Sequence, residues 1–263
     1  MNSIADDSGR VRLIVQGSVA RVSFDRPASR NAMTWRMYED LAEACRTIDQ
    51  DSSIRVAVLR GAGGKAFVAG TDIEQFRSFA SGRDGVEYEQ RIDAYVSALE
   101  ALSVPTVAVV EGWAVGGGLA IANACDFRIA LAGARFGAPI ARTLGNCLSP
   151  GNLRRLCATL GVAWVKRMLL AAEMPTAEEL VPLGYITTVV TAGDLEARIG
   201  EFCDRLLGHA PITMRVTREM LRRLAIDPGA AATDLIEQCY GSEDFRTGVE
   251  AFFAKTPPNW RNR

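Results

Sequence analysis

The amino-acid sequence predicts an α/β protein with a helical carboxyl-terminal region. Over the first 150 residues, short apolar runs typical of buried strands alternate with segments whose apolar side chains recur at helical spacing. Beyond about residue 150 the pattern is almost entirely helical, apart from one short apolar run. Hydrophobic residues make up 48% of the chain and charged residues 23%, which is the balance of an ordinary globular protein.

The individual elements follow from local patterns. Two alternating segments flank a turn at 16–18 and form a hairpin, whose second strand ends before Pro27. The predicted strands are 11–15, 19–24, 54–59, 106–110, 127–131 and 186–190. The predicted helices are 34–50, 86–102, one opened by glycines from about 117, 152–160, 162–172, 176–183, 195–207, 212–224, and 230–255 with a break near Gly241. Residues 1–190 are the predicted α/β core and residues 191–263 the helical extension.

Charge and composition exclude several classes of protein. The 30 Lys and Arg residues against 31 Asp and Glu leave a net charge of −1, so the overall field does not attract nucleic acid or an acidic membrane. The opening Met1–Asp7 has two acids and no apolar run, and no membrane-spanning stretch follows, so we expect a cytoplasmic chain.

Metal and disulfide chemistry are not expected either. His209 is the only histidine, and the charge of a histidine at that position would suit the carboxyl end of a helix. The six cysteines include no Cys-x-x-Cys pair, so we expect reduced, mostly buried thiols.

Two familiar motifs fail on context. Residues 61–66 match Gly-x-Gly-x-x-Ala after a strand, but no helix opens directly after them, as a dinucleotide site requires. The next predicted helix start is a capping box formed by Thr71 and Glu74. Around Ser149 a hydrolase nucleophile elbow, Gly-x-Ser-x-Gly, is missing, because Cys147 stands in place of the first glycine and Pro150 follows the serine.

Two glycine-bearing turns remain, at 65–73 and 111–119, each between an apolar strand and a helix start. Backbone N–H groups at two helix starts can converge on one oxygen and stabilise negative charge that develops on it. The residues from Gly116 to Gly118 would let a ligand approach the main chain, or they would merely allow tight helix packing. The spacing leaves both alternatives open.

With these turns, the sequence resembles the enoyl-CoA hydratase/isomerase family, also called the crotonase superfamily. The matching stretches run in order through nearly the whole chain: 24–27, 30–32, 65–73, 111–118, 125–130, 134–137, 176–179, 183–184 and 242–252. The resemblance implies a spiral of ββα units with a C-terminal helical trimerisation region at 191–263. It also implies an acyl-CoA substrate, no cofactor beyond the coenzyme A of that substrate, and a homotrimer or dimer of trimers.

The resemblance also implies site residues. The oxyanion hole for the thioester carbonyl would be the backbone N–H groups of Ala69 and Gly117. The implied contacts to coenzyme A or the acyl group are Ser29, Arg30, Gly70, Thr71, Asp72, Phe252 and Lys255. A structural alternative exists for Phe252, as part of an apolar face with Phe245 and Val249, and for Asp72, as an acid in the first turn of its helix.

The departures from the family pattern bear on the reaction. The two glutamates of a hydratase would fall at Ala120 and Ile140, and neither side chain can move a proton. Isomerisation, hydrolysis, decarboxylation or dehydration is therefore favoured over plain hydration. The alternative is a catalytically silent protein that binds acyl-CoA.

No acid or base is assigned from the sequence, and three residues are candidates for a role near the acyl group. Arg142 could hold a carboxylate or carbonyl, but it is too basic to act as a base at neutral pH. Cys147 is a nucleophile only if its pKa is lowered, and a buried, inert thiol is the favoured interpretation. Glu111 precedes the glycine turn, where a structural role is equally compatible. A basic cluster at Arg215, Arg218, Arg222 and Arg223 could meet coenzyme A phosphates, although a solvated helix face is favoured.

Overall fold

A computed structural model describes residues 9–263, so the prediction about Met1–Asp7 lies outside the described residues. The strands are β1 (Arg10–Gln16), β2 (Val19–Asp25), β3 (Val56–Gly61), β4 (Thr106–Val110), β5 (Trp113–Val115), β6 (Phe127–Leu131), β7 (Arg135–Gly137) and β8 (Thr188–Val190). The main sheet has the order β1-β2-β3-β4-β6-β8, and every neighbouring pair except β1 and β2 is parallel. This confirms the predicted α/β class.

The helices are α1 (Trp35–Gln50), α2 (Gly82–Glu100), α3 (Gly117–Ala124), α4 (Pro150–Leu169), α5 (Ala177–Leu180), α6 (Leu195–Leu207), α7 (Pro211–Ile226), α8 (Thr233–Tyr240) and α9 (Glu243–Ala254). The two helices predicted at 152–172 form α4, which is interrupted where Gly161 adopts non-helical angles. The break predicted near Gly241 separates α8 from α9. Helix α2 begins at Gly82, four residues before the predicted start, because Ser81 and Asp84 form a capping box there.

The sequence patterns missed a second, smaller sheet. Strands β5 and β7 pair in parallel, and isolated parallel bridges join Val68 to Ala114 and Met33 to Thr71. Each strand has only three residues, which is too short to show an alternating pattern. This small sheet brings the two glycine turns together.

Apolar side chains cover both faces of the main sheet. One face carries the larger core, which includes residues of α1, α2 and α3. Against the other face, Ile199 and Phe202 of α6 pack beside Val107 and Ile129. Helix α6 thus packs on the core, while the predicted division at residue 190 stays a prediction.

The last three helices leave large apolar side chains exposed. Phe252 and Phe253 of α9 are each 80% exposed, and Leu221 of α7 and Tyr240 of α8 are each 63% exposed. Within residues 9–263, no helix is long and apolar enough to cross a membrane. Exposed apolar area on this scale is typical of a surface that another protein covers.

We predict that Gly118→Ala destabilises the fold by about 1–3 kcal/mol, because its Cβ would lie 2.0 Å from the Val68 carbonyl oxygen. Gly200→Ala is the matched control, since α6 has open space there and the change removes a flexible residue from a helix. Denaturant unfolding should show a loss for the first variant and a small gain for the second. Equal stabilities would contradict the close approach of α3 to Val68.

Candidate active site

The two glycine turns meet in space. The Val115 N–H donates to the Val68 carbonyl at 3.0 Å, which ties the ends of the two turns together. Gly70 and Gly116 adopt positive φ angles of 109° and 53°, which favour glycine, and a Cβ on Gly116 would lie 3.8 Å from the Gly70 Cα. The turns therefore present their main chains to each other.

The three glycines serve both purposes that the sequence left open. Gly118 allows tight packing, as its contact with Val68 shows. Gly117 instead borders polar groups, since a Cβ there would lie 2.6 Å from the Tyr38 hydroxyl and 3.1 Å from Thr71 Oγ1. The N–H of Gly117, in the first turn of α3, has no hydrogen-bond partner among residues 9–263.

A parallel pairing decides which N–H groups of the first turn are engaged. The Ala69 N–H donates to the Arg30 carbonyl at 3.1 Å, and the Asp72 N–H donates to the Met33 carbonyl at 2.9 Å. The Met33 N–H in turn donates to the Gly70 carbonyl at 2.9 Å. A parallel bridge of this kind turns the N–H of its central residue, Thr71, to the opposite side.

The expectation that the Ala69 N–H is the open donor of this turn is therefore corrected to the Thr71 N–H. The Ala69 N–H is engaged by the Arg30 carbonyl, whereas no described residue accepts the Thr71 N–H. The Thr71 side chain lies beside Gly117, whose N–H is also open. The two turns thus supply one adjacent N–H each.

Three hydroxyl groups cluster at this junction. The Tyr88 hydroxyl donates to Thr71 Oγ1 at 2.9 Å, and the Tyr38 hydroxyl lies 2.9 Å from the same oxygen. Burial raises the pKa of Tyr38 well above its usual range and that of Tyr88 to about 12, so both remain protonated at neutral pH. These bonds correct the predicted capping box, because Asp72 and not Thr71 caps the short 3-10 helix Ile73–Phe76.

A cavity of about 750 Å³ opens beside Tyr88, between α2 and the residues that precede and begin α4. Its walls are mainly aromatic and aliphatic, formed by Phe76, Phe79, Val86, Tyr88, Leu144 and Leu148. Polar side chains in the wall are Glu89, Gln90, Asp93, Asn146, Cys147 and Ser149. The volume lies within the range of small-molecule sites.

Glu89 is a carboxylate that the sequence analysis did not single out. Burial raises its pKa to about 6, the neighbouring charge of Asp93 adds to this, and the Ser149 N–H, which donates to it at 2.7 Å, opposes it. Its charge in turn raises the pKa of Tyr38 and Tyr88. The sequence contains a pattern that could have indicated this carboxylate. Glu89 and Asp93 flank the apolar stripe Tyr88, Ile92 and Val96 at helical spacing.

Comparison with known proteins decides the family. The model of the enoyl-CoA hydratase/isomerase family matches residues 15–263. The chain belongs to this family. It is 30% identical to a short-chain-enoyl-CoA hydratase of Clostridium acetobutylicum, over 91% of this chain and 93% of that protein. It is also 30% identical to an (E)-benzylidenesuccinyl-CoA hydratase of Thauera aromatica, over 95% and 98%.

A solved structure shares the fold. A crystal structure from Magnetospirillum magneticum, described as an enoyl-CoA hydratase/carnithine racemase, superposes with a TM-score of 0.88 at 30% identity and covers 96% of each chain. The crotonase-like fold is thereby confirmed. Members of the family process acyl-CoA thioesters. The two relatives above are equally similar to this chain, yet they are named for different acyl groups.

The structure places the three residues that were candidates for an acid, a base or an acyl contact in different surroundings. Cys147 is exposed and lines the cavity, so the expected burial is wrong for this thiol, although Cys45, Cys125 and Cys203 are buried. Arg142 is exposed in a turn and is not part of the cavity wall. Glu111 is buried and forms an ion pair with Arg60, which gives it a structural role.

The residues implied to contact coenzyme A lie in two regions. Ser29 ends a 3-10 helix and Arg30 follows it with a left-handed φ of 51°, next to the turn that holds Gly70 and Thr71. Asp72 forms an ion pair with Arg26 at 2.7 Å in addition to its capping bond. Phe252 and Lys255 lie at the exposed end of α9, and Phe252 shares an apolar groove with Phe245 and Val249.

The basic cluster on α7 is largely engaged within the chain. Arg218 pairs with Asp126, and Arg222 and Arg223 pair with Glu219. Arg223 also pairs with Asp234. These contacts fit the structural interpretation better than phosphate binding.

Within the described chain, no group of three or more His, Cys, Asp or Glu side chains could hold a metal ion.

We predict that Cys147 is the fastest thiol to react with a disulfide reagent at pH 8. Burial raises the pKa of Cys45 and Cys125 to about 12, so these thiols stay protonated and slow. Cys147→Ser should remove the fast phase, and Cys239→Ser, at a partly buried position, should retain it. A fast phase that survives Cys147→Ser would contradict the exposure of this side chain.

Proposed function

We propose that this chain is an acyl-CoA enzyme in which the backbone N–H groups of Thr71 and Gly117 hold the thioester oxygen and stabilise an enolate. One observation carries the proposal: two adjacent turns each leave one N–H without a partner, and Tyr88, which bonds to Thr71, lines a cavity of ligand size. A half-buried site that leaves such donors open is prepared for an acceptor. The family membership supplies the acceptor, a thioester carbonyl.

The chemistry follows from where the charge develops. Removal of a proton beside a thioester carbonyl places negative charge on its oxygen, and two fixed donors stabilise that charge more than the neutral carbonyl. The Gly117 N–H adds the positive end of the α3 dipole. The Tyr38 and Tyr88 hydroxyls hold the Thr71 side chain, so this turn is fixed before substrate arrives.

Plain enoyl-CoA hydration is disfavoured within this proposal. Ala120 is buried in α3, and Ile140 starts the turn after β7, so the two positions that carry glutamates in a hydratase have no proton to give or take. Isomerisation, decarboxylation and dehydration can each pass through an enolate, and hydrolysis passes through a tetrahedral oxyanion, and the same two N–H donors would stabilise either anion.

The proposed partners are an acyl-CoA thioester and further copies of this chain. Ser29, Arg30, Phe252 and Lys255 are the proposed contacts to coenzyme A, and no other cofactor is invoked. The exposed apolar side chains of α7 to α9 support a homo-oligomer, for which we propose a trimer or a dimer of trimers.

A second candidate is a protein that binds acyl-CoA without turnover. The observation that favours it is the replacement of both glutamates, at Ala120 and Ile140. Such a protein would still hold the thioester oxygen with Thr71 and Gly117. Exchange of substrate hydrogen with solvent separates the two candidates, because only an enzyme forms the enolate.

We predict that the protein exchanges the α-hydrogens of phenylacetyl-CoA with deuterium oxide, measured by mass spectrometry. Gly117→Pro removes one N–H donor and should lower the rate about 100-fold to 1,000-fold. Gly117→Ala is the matched control, since both variants add a Cβ near Tyr38 but only proline loses the N–H. Both are made in a Tyr38→Phe background to relieve the contact with the Tyr38 hydroxyl.

Two results would contradict this proposal, one for the role of Gly117 and one for the formation of an enolate. Equal exchange rates for the proline and alanine variants would show that its N–H does not contact the oxyanion. Binding of phenylacetyl-CoA without any exchange by the wild-type protein would favour the silent acyl-CoA-binding protein.

We also predict that the ultraviolet band of crotonyl-CoA persists when this thioester is incubated with the protein. Hydration would remove the conjugated double bond and the band with it, and this step needs an acid and a base on one face of the substrate. An authentic enoyl-CoA hydratase, assayed with the same substrate stock, is the control. Rapid decay of the band would overturn the argument from Ala120 and Ile140.

A further inference from the structure

We propose that Glu89 on α2 transfers the proton at the acyl group, and that the adjoining cavity takes bulky apolar or aromatic acyl chains. This inference rests on the proposed function, because it needs a thioester held by Thr71 and Gly117. It supplies the acid or base that the sequence left unassigned.

Glu89 is linked to the thioester site through Tyr88 and the cavity wall. The preceding residue, Tyr88, bonds to Thr71 and forms part of the cavity wall. Glu89 lies in the same wall, and its charge acts on the hydroxyls of both Tyr38 and Tyr88. Glu89 is thus linked to the group that borders Gly117 and to the space that an acyl chain would fill.

Among the acids near the site, Glu89 is the one left available for proton transfer. Asp93, the other acid in the cavity wall, forms an ion pair with Arg155 at 2.6 Å. Asp72 and Glu111 pair with Arg26 and Arg60. Within the described chain, Glu89 has a single partner, the Ser149 N–H, and no cation.

The surroundings suit a base at neutral pH. With its pKa raised to about 6, Glu89 is mostly ionised at pH 7 yet a stronger base than an exposed glutamate. The titratable groups that face it are Tyr88 and Asp93 on its own helix, Tyr38 from α1, and Cys147 across the cavity, while Arg155 from α4 offsets Asp93.

The cavity walls indicate the acyl group. Phe76, Phe79 and Tyr88 pack edge to face and form an aromatic wall, and Leu144 and Leu148 contribute apolar side chains. A volume of about 750 Å³ far exceeds a four-carbon acyl chain, which would leave this apolar surface uncovered. An aromatic or long aliphatic acyl group would bury it.

The proposed step is a simple proton transfer. The Glu89 carboxylate takes a proton from the carbon beside the thioester carbonyl, so that a C–H bond breaks and an O–H bond forms. The C–H electron pair becomes the enolate double bond, and the carbonyl π pair moves onto the oxygen held by Thr71 and Gly117. Return of the proton to the same or another carbon of the conjugated acyl group regenerates the carboxylate.

Exchange of phenylacetyl-CoA in deuterium oxide tests the proposal. Glu89→Gln keeps the size and the acceptor for the Ser149 N–H but removes the base, so exchange should fall at least about 100-fold. Probe affinity should be unchanged at pH 5, where wild-type Glu89 is largely protonated. Glu87→Gln, an exposed acid on the same helix, is the matched control and should exchange like the wild type.

Two further readouts identify the base and the acyl class. The wild-type exchange rate should rise with pH through about 6 and then level off, and this step should disappear in Glu89→Gln. Phenylacetyl-CoA should bind more tightly than acetyl-CoA. Equal affinity for the two thioesters would overturn the assignment of the cavity.

The outcomes distinguish a failure of the Glu89 proposal from a failure of the proposed function on which it rests. Exchange that depends on the Gly117 N–H but survives Glu89→Gln would overturn Glu89 and leave the proposed function intact. Absence of exchange in the wild-type protein would overturn both. Loss of exchange in Glu87→Gln as well would show a general effect on α2 and contradict the specific role of Glu89.

Discussion

One parallel pairing, between residues 30–33 and 69–72, fixes the chemistry that the site offers. It engages the N–H groups of Ala69 and Asp72 and leaves that of Thr71 on the opposite side. Gly118 then lets α3 approach Val68 until the Gly117 N–H lies beside Thr71. A pair of open donors is therefore a consequence of backbone pairing, and the side chains around it only hold the turns in place.

Much of the frame could be predicted from the sequence, since long apolar runs and amphipathic helices carry strong patterns. The parallel order around β3, β4 and β6 follows from such runs. Which N–H is free could not be predicted from the sequence. The Ala69 N–H is engaged and the Thr71 N–H is open only because of the pairing with residues 30–33, some 40 positions away. The prediction for Cys147 was wrong for a different reason: cysteine is usually buried, but the irregular segment before α4 exposes this side chain at the cavity.

Glu89 shows how such a site conflicts with stability. Its pKa rises from 4.5 to about 6 on folding, so the folded protein binds more protons than the unfolded chain between those values. The free energy of unfolding therefore falls as pH rises through this window, and the ionised carboxylate remains a cost above it. A carboxylate that lowers the stability of the fold but serves the site is an example of the common trade-off between stability and activity.

The most direct test of the central claim is the infrared spectrum of the bound thioester carbonyl. Phenylacetyl-CoA labelled with carbon-13 at that carbonyl should absorb at lower frequency on the protein than in water, because two N–H donors polarise the bond. Replacing the Thr71 amide by a backbone ester should reduce this shift, while the same replacement at Ala69 should preserve it. A carbonyl at its solution frequency, or a shift lost only with the Ala69 ester, would contradict the account.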